Sequence, residues 1–405
     1  MTTPASENRG ALAGIRIVDL TTVVLGPWAS QTLGDMGAEV IKIETPEGDV
    51  SRKLGPARNP GMAALFMTTN RNKRSVVLDL NQPAARDALL RIIDTADVFL
   101  HNLRPKVATK LKLGYEHFAK RRPDLIYCAA YGFRAEGPLA DKPAYDDVIQ
   151  SASGLTELMS VLSDQPRFVP TIVADKTSAY NALSAVLAAL FHRQRGGGGQ
   201  AIEVPMYETL VDYLMVEHLY GAAFDPPIGK MGYERVLSRA RRPYATRDGY
   251  LTVLPYSDDN WQSLFRLAGR DDLLADPDYA TIATRTVNSE KAYGELASII
   301  ATRTTAEWVR DLEPLGVPVA TVRRKEDLLE DEQLKASGFW HIVVHPTEGR
   351  IRMTDPPIRF EGSPSSIRRL APRLGEHSAE VLAEAGYTKD EIEELFKQKA
   401  SLAAT

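Results

Sequence analysis

The alternation of strand-like and helix-like segments in the first third of the chain restricts its fold more than any other feature. Residues 12–44 contain the β-rich run LAGIRIVDLT, the helix-like run PWASQTLGDMGA and a second β-rich run, AEVIKIE. Three more β-rich runs, SVVLDL, DVFLHNL and DLIYCAAYG, follow with helix-like segments between them. A helical crossover of this length joins parallel strands. The sequence therefore predicts an α/β fold with a parallel, Rossmann-like sheet.

The length of 405 residues predicts two domains, because one hydrophobic core rarely grows that large. Composition changes near residue 225, where prolines, glycines and arginines accumulate, and residues 258–312 have a mostly helical, amphipathic pattern. Strand-like runs return in LGVPVATVRR and GFWHIVVHP. We expect a Rossmann-like large domain formed by residues 1–225 and 326–405, and a smaller α+β domain formed by residues 226–325.

Charge and hydropathy indicate the expected surroundings of the protein. The net charge of −4 argues against a nucleic-acid partner held by backbone charge alone. The longest nearly apolar run, residues 182–191, is too short to cross a bilayer. The first ten residues, MTTPASENRG, lack the apolar core of a secretion signal. We expect a cytoplasmic protein with neither a nucleic-acid nor a membrane partner.

Several familiar chemistries lack their motifs in this chain. No GxSxG elbow or GxxxxGK[ST] phosphate loop occurs, and the seven histidines form no HExxH or similar pair, so we expect no metal site. Glu44 lies about where a dinucleotide-binding fold carries its ribose-binding acid, but LGPWASQ has one glycine where GxGxxG is needed. This pattern favours a Rossmann-like unit without a nicotinamide site. Cys128, the single cysteine, lies in a strand-like run and is interpreted as an inert core thiol.

Two groups of basic residues allow more than one interpretation. Arg71, Lys73 and Arg74 directly precede the strand-like run SVVLDL, where they could form a solvated sheet edge or bind an anionic ligand. Four arginines at positions 235, 239, 241 and 242 could bind a second carboxylate or belong to a solvated loop. The sequence leaves both questions open.

Asp175 is the acid that attracts most attention. It stands in PTIVADKTSAYNALSAVLAALFHRQRGGGGQ, directly before a run of small and apolar residues that predicts a buried helix ending at four glycines. A carboxylate at a helix N-terminus is stabilised in its ionised, nucleophilic form. Aspartate is also among the best N-cap residues, and the pattern alone favours a cap over a nucleophile.

Several segments together resemble the class III CoA-transferases, the CaiB/BaiF family. The resemblance is nearly full-length and rests on LAGIRIVDLTTVVLGPWASQTLGDMGAEVIKIE, NRNKRSVVLDL, DVFLHNLRP, YGFRAEGPLADKPAYDDVIQSASGL, LGVPVATV and LGEHSAEVL. It implies an enzyme that moves CoA from an acyl-CoA donor to a carboxylic acid acceptor. Coenzyme A and acyl-CoA would be substrates, with no permanently bound cofactor. The family fold implies an interlocked homodimer.

The resemblance also assigns roles to individual residues. The family nucleophile matches Asp175 in ADKTSAY, which would pass through aspartyl anhydride and aspartyl-CoA thioester intermediates. Where the family carries a basic residue after its second strand, this chain has Thr45. The residues matching the CoA site are Val24, Leu25, Leu78, Asp79, Leu80, Asn81, Asn102, Leu103, Lys110, Lys142, Tyr145 and Asp146.

Two other functions compete with CoA transfer. The α-methylacyl-CoA racemases are similar in fold and opening segments, and they need a histidine and an aspartate as paired bases. Here the triplet that matches their histidine motif is Ala144-Tyr145-Asp146, and a phenol of pKa about 10 is a poor base at neutral pH. A non-catalytic CoA-binding protein is the other alternative, and it would require Asp175 to be only a cap.

Overall fold

The computed structural model describes residues 10–404. Its strands, numbered along the chain, are β1 (Arg16–Leu20), β2 (Glu39–Glu44), β3 (Lys73–Leu78), β4 (Val98–His101), β5 (Ile126–Tyr131), β6 (Gln200–Pro205), β7 (Tyr244–Ala245), β8 (Tyr250–Val253), β9 (Val319–Thr321), β10 (Trp340–His345), β11 (Gly349–Thr354) and β12 (Ser401–Leu402). Its α-helices are α1 (Leu25–Asp35), α2 (Ala64–Thr69), α3 (Pro83–Ile93), α4 (Pro105–Leu111), α5 (Asp146–Ala152), α6 (Leu155–Ser163), α7 (Val173–His192), α8 (Met206–His218), α9 (Glu234–Leu237), α10 (Asp258–Ala268), α11 (Asp271–Ala275), α12 (Ile282–Val287), α13 (Ser289–Ile300), α14 (Thr305–Leu312), α15 (Glu332–Ala336), α16 (Ser378–Glu384) and α17 (Lys389–Lys397).

The central sheet confirms the predicted mixed α/β fold. Its strand order is β12-β3-β2-β1-β4-β5-β6, and β1 to β6 are all parallel. The order 3-2-1-4-5-6 is that of the doubly wound, Rossmann-like sheet. The strand order reverses between the parallel strands β1 and β4, and ligands of such sheets bind outside the carboxyl ends of the strands at that point.

The parallel strands are largely buried on both faces because helices cover both sides of the sheet. Every residue of β3 and β4 is buried, and Val18, Ile41 and Phe99 lie in the core between sheet and helices. Helix α3 contributes Leu89 and Ile92 to the same core, three residues apart on one helical face. The β-rich runs of the sequence thus become strands because both of their faces are withdrawn from water.

The C-terminal part of the chain closes the free edge of this sheet. β12 pairs antiparallel with β3, and Ser401 Oγ donates a hydrogen bond to Val77 O at 2.7 Å. Arg368 also reaches back to the first helix, where its guanidinium donates to the carbonyls of Gly34 (2.7 Å) and Ala38 (2.9 Å). These carbonyls lie at the C-terminal end of α1, which a cation stabilises.

The chain divides into two compact units. The first comprises residues 1–153, 170–213 and 333–405, and the second comprises residues 154–169 and 214–332. The second unit thus includes residues 154–169, which the sequence analysis assigned to the large domain. The domain boundaries given there stay a prediction about the organisation of the protein.

The second unit contains a three-stranded antiparallel sheet and a helical core. The sheet order is β7-β8-β9, and Thr246 N donates to Gly249 O across the hairpin between β7 and β8. Trp261 and Trp308 lie at the centre of the core. Two of the four arginines mentioned above have partners within this unit: Arg235 bonds to Tyr293 and Arg239 to Asp164.

Arg71, Lys73 and Arg74, which lie just before β3 and at its start, form neither a solvated edge nor a ligand site. All three side chains are buried and ion-paired within the first unit: Arg71 with Asp35, Lys73 with Asp19, and Arg74 with Glu39, Glu380 and Glu384. Burial lowers the pKa of Lys73 to about 8, and attraction to Asp19 opposes that change. At neutral pH these cations balance buried acids, so they are not available to an anionic ligand.

Helices α5 and α6 are separated by a two-residue break. α5 ends at Ala152 and α6 begins at Leu155. Gly154 lies between them with φ of 92°, a conformation that glycine adopts without strain. No helix among residues 10–404 is long and apolar enough to cross a membrane.

Candidate active site

A cavity of about 770 Å³ opens at the carboxyl ends of the parallel strands. Its walls come from the turns after β1, β2, β3 and β4, from the loop of residues 142–145 and from Asp175. All these segments belong to the first unit. The cavity therefore lies where the reversal of strand order predicts a ligand site.

The turn between β1 and α1 is fixed by buried charges beneath it. Val23 has φ of 72°, which is strained for a β-branched residue, and its N–H donates to Asp49 Oδ1 at 3.1 Å. Lys42 Nζ donates both to Asp49 Oδ2 (2.8 Å) and to Thr21 O (2.9 Å). Lys42 and Asp49 are both buried. This ion pair holds the turn in the shape that lines the cavity.

The turn after β4 is tied to the turn after β1. Asn102 Oδ1 accepts a hydrogen bond from Thr22 N at 3.2 Å, and Asn102 Nδ2 donates to Thr22 O at 3.0 Å. His101 Nδ1 accepts from Leu103 N at 3.2 Å, while its Nε2 lies 2.6 Å from the hydroxyl of Tyr127. Burial lowers the pKa of His101 to about 4, so the ring is neutral and serves to order the turn.

Two exposed basic residues occupy the cavity lining. Lys142 comes from the loop that contains Tyr145, and Arg104 follows the β4 strand. Arg104 Nη1 donates to Asp141 O at 3.0 Å, which connects the two segments. The two cations suit a ligand with negatively charged phosphate groups.

Asp175 is the third residue of α7, and it does not cap the helix. The N-cap position belongs to Ile172, whose side chain makes no capping bond. The cap interpretation of the sequence is therefore wrong, because the helix begins two residues before Asp175. Among residues 10–404 no group donates a hydrogen bond to the Asp175 carboxylate, although the residue is only 9% exposed.

The environment of Asp175 disfavours its ionised form. Burial, and to a lesser extent the negative charge of Asp146, together raise the pKa of Asp175 to about 7. A carboxylate that lacks hydrogen-bond donors is poorly solvated and therefore reactive towards a carbonyl carbon. The arrangement offers a nucleophile in the wall of a large cavity.

Asp146 supplies the helix cap that the local sequence lacks. Its Oδ1 accepts a hydrogen bond from Asp175 N at 3.0 Å, and its Oδ2 accepts from Gln150 Nε2 at 2.6 Å. Asp146 is the first residue of α5 and is buried. It lies 29 residues before Asp175 in the chain.

Most residues that the sequence analysis assigned to the site line the cavity. They are Leu25, Asp79, Leu80, Asn81, Asn102, Leu103, Lys142, Tyr145 and Asp175. Four others lie outside the lining: Val24 and Leu78 are buried in the core, Lys110 is exposed on α4, and Asp146 is buried behind Asp175. Their predicted contact with CoA stays a prediction.

The sequence analysis missed several lining residues, among them Thr22, Val23 and Arg104. Each lies within three residues of the carboxyl end of a parallel strand, β1 or β4. The rule that ligands bind beyond the carboxyl ends of such strands could have identified them.

The structure also shows the surroundings of residues that thiol, metal or dinucleotide chemistry would use. Cys128 is fully buried, and burial raises the pKa of its thiol to about 12, so it is inert. Within residues 10–404 no three His, Cys, Asp or Glu side chains are grouped to hold a metal ion. Glu44, at the expected ribose position, is engaged by Arg52 Nε at 2.7 Å and by Ser75 Oγ at 2.6 Å.

Comparison with known proteins adds to this geometry. The family model described as CoA-transferase family III matches residues 12–378. The probable fatty acyl-CoA transferase Rv3272 of Mycobacterium tuberculosis is 34% identical over 94% of this chain and 99% of its own length. The succinate–glutarate CoA-transferase of Agrobacterium fabrum is also 34% identical, over 94% of this chain and 97% of its own.

Solved structures agree with the sequence comparison. The crystal structure of Rv3272 superposes with a TM-score of 0.81 at 31% identity and covers 92% of this chain and 99% of that one. A CaiB/BaiF family protein from Brucella suis gives a TM-score of 0.78 at 29% identity, with 93% and 100% covered.

Proposed function

The chain belongs to CoA-transferase family III, and on this basis we propose that it transfers CoA from an acyl-CoA donor to a carboxylic acid through covalent intermediates on Asp175. The observation that carries the proposal is the carboxylate of Asp175, which lies buried in the cavity lining without a hydrogen-bond donor from residues 10–404. A nucleophile of this kind divides one difficult acyl exchange into easier steps.

The reaction begins with attack of the Asp175 carboxylate on the thioester carbonyl of the donor. A C–O bond forms, the C–S bond breaks, and the products are a mixed anhydride and CoA thiolate. The thiolate then attacks the aspartyl carbonyl of the anhydride, which releases the donor acid as its carboxylate and leaves an aspartyl-CoA thioester. Each step creates a tetrahedral oxyanion, which nearby backbone N–H groups are suited to stabilise.

The second half-reaction reverses this order with the acceptor acid. The acceptor carboxylate attacks the aspartyl thioester and forms a second anhydride with release of CoA thiolate. The thiolate attacks the acceptor carbonyl, which yields the new acyl-CoA and restores the Asp175 carboxylate. No net proton is taken up or lost, so the cycle needs no general base.

The cavity suits CoA in size, and two cations in its lining suit the phosphate groups of CoA. Its volume of about 770 Å³ lies in the range of small-molecule sites, and Arg104 and Lys142 offer cations for phosphate groups. Apolar lining residues such as Leu103 and Val107 offer surface for the pantetheine chain. We infer that the turns after β1, β3 and β4 bind the CoA part of the acyl-CoA substrate.

Gly26 provides a test of the turn after β1. A Cβ at this position would lie 2.3 Å from Thr21 Cβ, so Gly26→Ala must push the turn away from α1. We expect KM for acyl-CoA to rise several-fold and the free energy of unfolding to fall by about 1–3 kcal/mol. Steady-state kinetics and denaturant unfolding measure both. Gly294→Ala is the control, because no atom lies within 4 Å of its added Cβ. An unchanged KM in Gly26→Ala would contradict the role of this turn.

A transfer assay tests the proposal as a whole. Relatives of this chain are named for succinate and glutarate and for succinyl-CoA and mesaconate, so succinyl-CoA is the first donor and dicarboxylates the first acceptors to test. We expect a new acyl-CoA in an amount equal to the donor consumed, detected by mass spectrometry. Hydroxylamine added during turnover should label Asp175. Release of free CoA without acceptor acyl-CoA would contradict CoA transfer.

The racemase alternative has its own test. Tyr145 is 68% exposed in the cavity lining and stands where the resemblance places a histidine base. Incubation of a chiral 2-methylacyl-CoA in deuterated water should give no rapid α-deuterium incorporation. Rapid incorporation without any acceptor acid would favour the racemase. A protein that binds acyl-CoA but shows neither reaction would be the non-catalytic alternative.

Family membership also supports an interlocked homodimer in the cytoplasm. We propose that residues 1–225 with 326–405 and residues 226–325 are the large and small domains of each subunit. The substrates of the proposed reaction are acyl-CoA and a carboxylic acid, with no permanently bound cofactor.

A further inference from the structure

Asp146 was predicted to contact CoA, but it contacts the nucleophile Asp175 and does not line the cavity. Its Oδ1 accepts the N–H of Asp175 at 3.0 Å, and it does not belong to the cavity lining. Its neighbour Tyr145 does line the cavity. Tyr145 therefore contributes to the cavity, whereas its neighbour Asp146 contacts the backbone of Asp175.

The hydrogen bond to Asp175 N satisfies a group that the helix itself cannot satisfy. The first four N–H groups of a helix have no intrahelical acceptor, and Asp175 is the third residue of α7. The side chain of the N-cap residue, Ile172, cannot accept one. A carboxylate is a strong acceptor for such a donor. Asp146 thereby fixes the backbone from which the nucleophile projects.

A second bond fixes Asp146 itself. Gln150 Nε2 donates to Asp146 Oδ2 at 2.6 Å, and Gln150 is also buried. With both oxygens engaged, the Asp146 carboxylate has one orientation, and its charge is held beside Asp175.

We propose that Asp146 is a positioning residue for the nucleophile. Asp146 caps α7, and its negative charge repels the Asp175 carboxylate until Asp175 becomes covalently modified. This inference rests on the function proposed above. The free Asp175 carboxylate repels Asp146, whereas the anhydride and the aspartyl-CoA thioester at Asp175 are uncharged at that carbonyl. The covalent intermediates therefore gain stability relative to the free enzyme.

Among residues 10–404, Asp146 is the one charge that shifts the pKa of Asp175. Lys176 follows Asp175 but directs its Nζ to Thr171 Oγ1 at 2.7 Å. Burial and Asp146 are the two influences that raise the pKa of Asp175. The remaining ionisable residues on the main elements packed against α7 do not shift it: Asp35 on α1, Asp147 on α5, Tyr127, Cys128 and Tyr131 on β5, and Glu203 on β6.

Asp146→Asn separates the charge from the cap. Asparagine keeps an oxygen for the Asp175 N–H, and the amide of Gln150 can turn its own oxygen towards the new amide group. We expect the acidic limb of the pH profile of kcat to move to lower pH by roughly half a unit or more. The steady-state fraction of aspartyl-CoA enzyme should fall, and KM for acyl-CoA should stay within twofold of the wild-type value.

Asp146→Ala removes both contributions and should lower kcat further than Asp146→Asn at every pH. A CoA-binding role for Asp146 predicts the opposite pattern: a raised KM in Asp146→Asn with an unmoved acidic limb, which would overturn the inference. Trapping with hydroxylamine in the wild-type enzyme keeps the two proposals distinct. An untrapped Asp175 contradicts the transfer mechanism, whereas a trapped Asp175 with an unmoved limb in Asp146→Asn contradicts only the role of Asp146.

Discussion

Replacing Asp175 with alanine is expected to reduce CoA transfer by roughly 10³-fold or more, because removal of an enzyme nucleophile has effects of that size or larger. The loss should appear in kcat, since no covalent intermediate can form. Binding of acyl-CoA should persist, because the cavity keeps its other lining residues. Steady-state kinetics together with mass spectrometry of the trapped peptide measure both effects.

The variant should also fold normally, which gives the kinetic result its meaning. No residue among 10–404 donates a hydrogen bond to the Asp175 carboxylate, and the N–H that Asp146 accepts belongs to the backbone and survives the substitution. Asp147→Ala is the matched control, because it removes an exposed carboxylate from α5. Transfer at the wild-type rate in Asp175→Ala would remove Asp175 from the mechanism.

Replacing Asp175 with asparagine should stabilise the protein at pH 8 but much less at pH 5. The pKa of Asp175 is raised from 3.8 to about 7 by burial and by Asp146, so the native state binds its proton more tightly than the unfolded chain does. Stability then falls as pH rises from about 4 to about 7, and the loss is complete above that range. One pKa unit corresponds to about 1.4 kcal/mol, so the full penalty is on the order of 4 kcal/mol.

Between pH 5 and pH 8 the stabilisation by Asp175→Asn should therefore grow by about 2–3 kcal/mol. Urea unfolding at the two pH values measures it, with Asp147→Asn as the control for the loss of one carboxyl group. A stabilisation that is equal at both pH values would mean that Asp175 ionises as an ordinary surface aspartate. The expected result would mean that the protein is less stable than it could be because it keeps a buried, reactive carboxylate at Asp175.

The local pattern was sufficient to place Asp175 near the start of a helix and to predict the parallel sheet. It could not identify what satisfies that helix start, because Asp146 lies 29 residues earlier and reaches Asp175 only in the folded chain. The same limit explains the misinterpreted basic residues. Arg74 pairs with Glu384, 310 residues later, and no local pattern contains that information.

The site residues, too, could be predicted only in part. The resemblance selected whole segments, and the alternation of a strand then decides which members reach the cavity. Leu78 ends β3 and is fully buried, whereas Asp79 and Leu80, directly after it, line the cavity. Residues beyond a strand end could be predicted to line the cavity, but the burial of Val24 between Val23 and Leu25, which both line it, could not.

The pairing of β12 with β3 has a consequence for biosynthesis. Ser401 contacts Val77 across 324 residues of chain, so this edge of β3 cannot pair with β12 until Ser401 has been synthesised. At roughly 5–20 residues per second, that edge stays unpaired for about fifteen seconds to a minute on the ribosome. An uncovered strand edge of apolar residues invites pairing with other chains. Deletion of residues 401–402, which pair with β3, should therefore reduce the yield of soluble protein during synthesis.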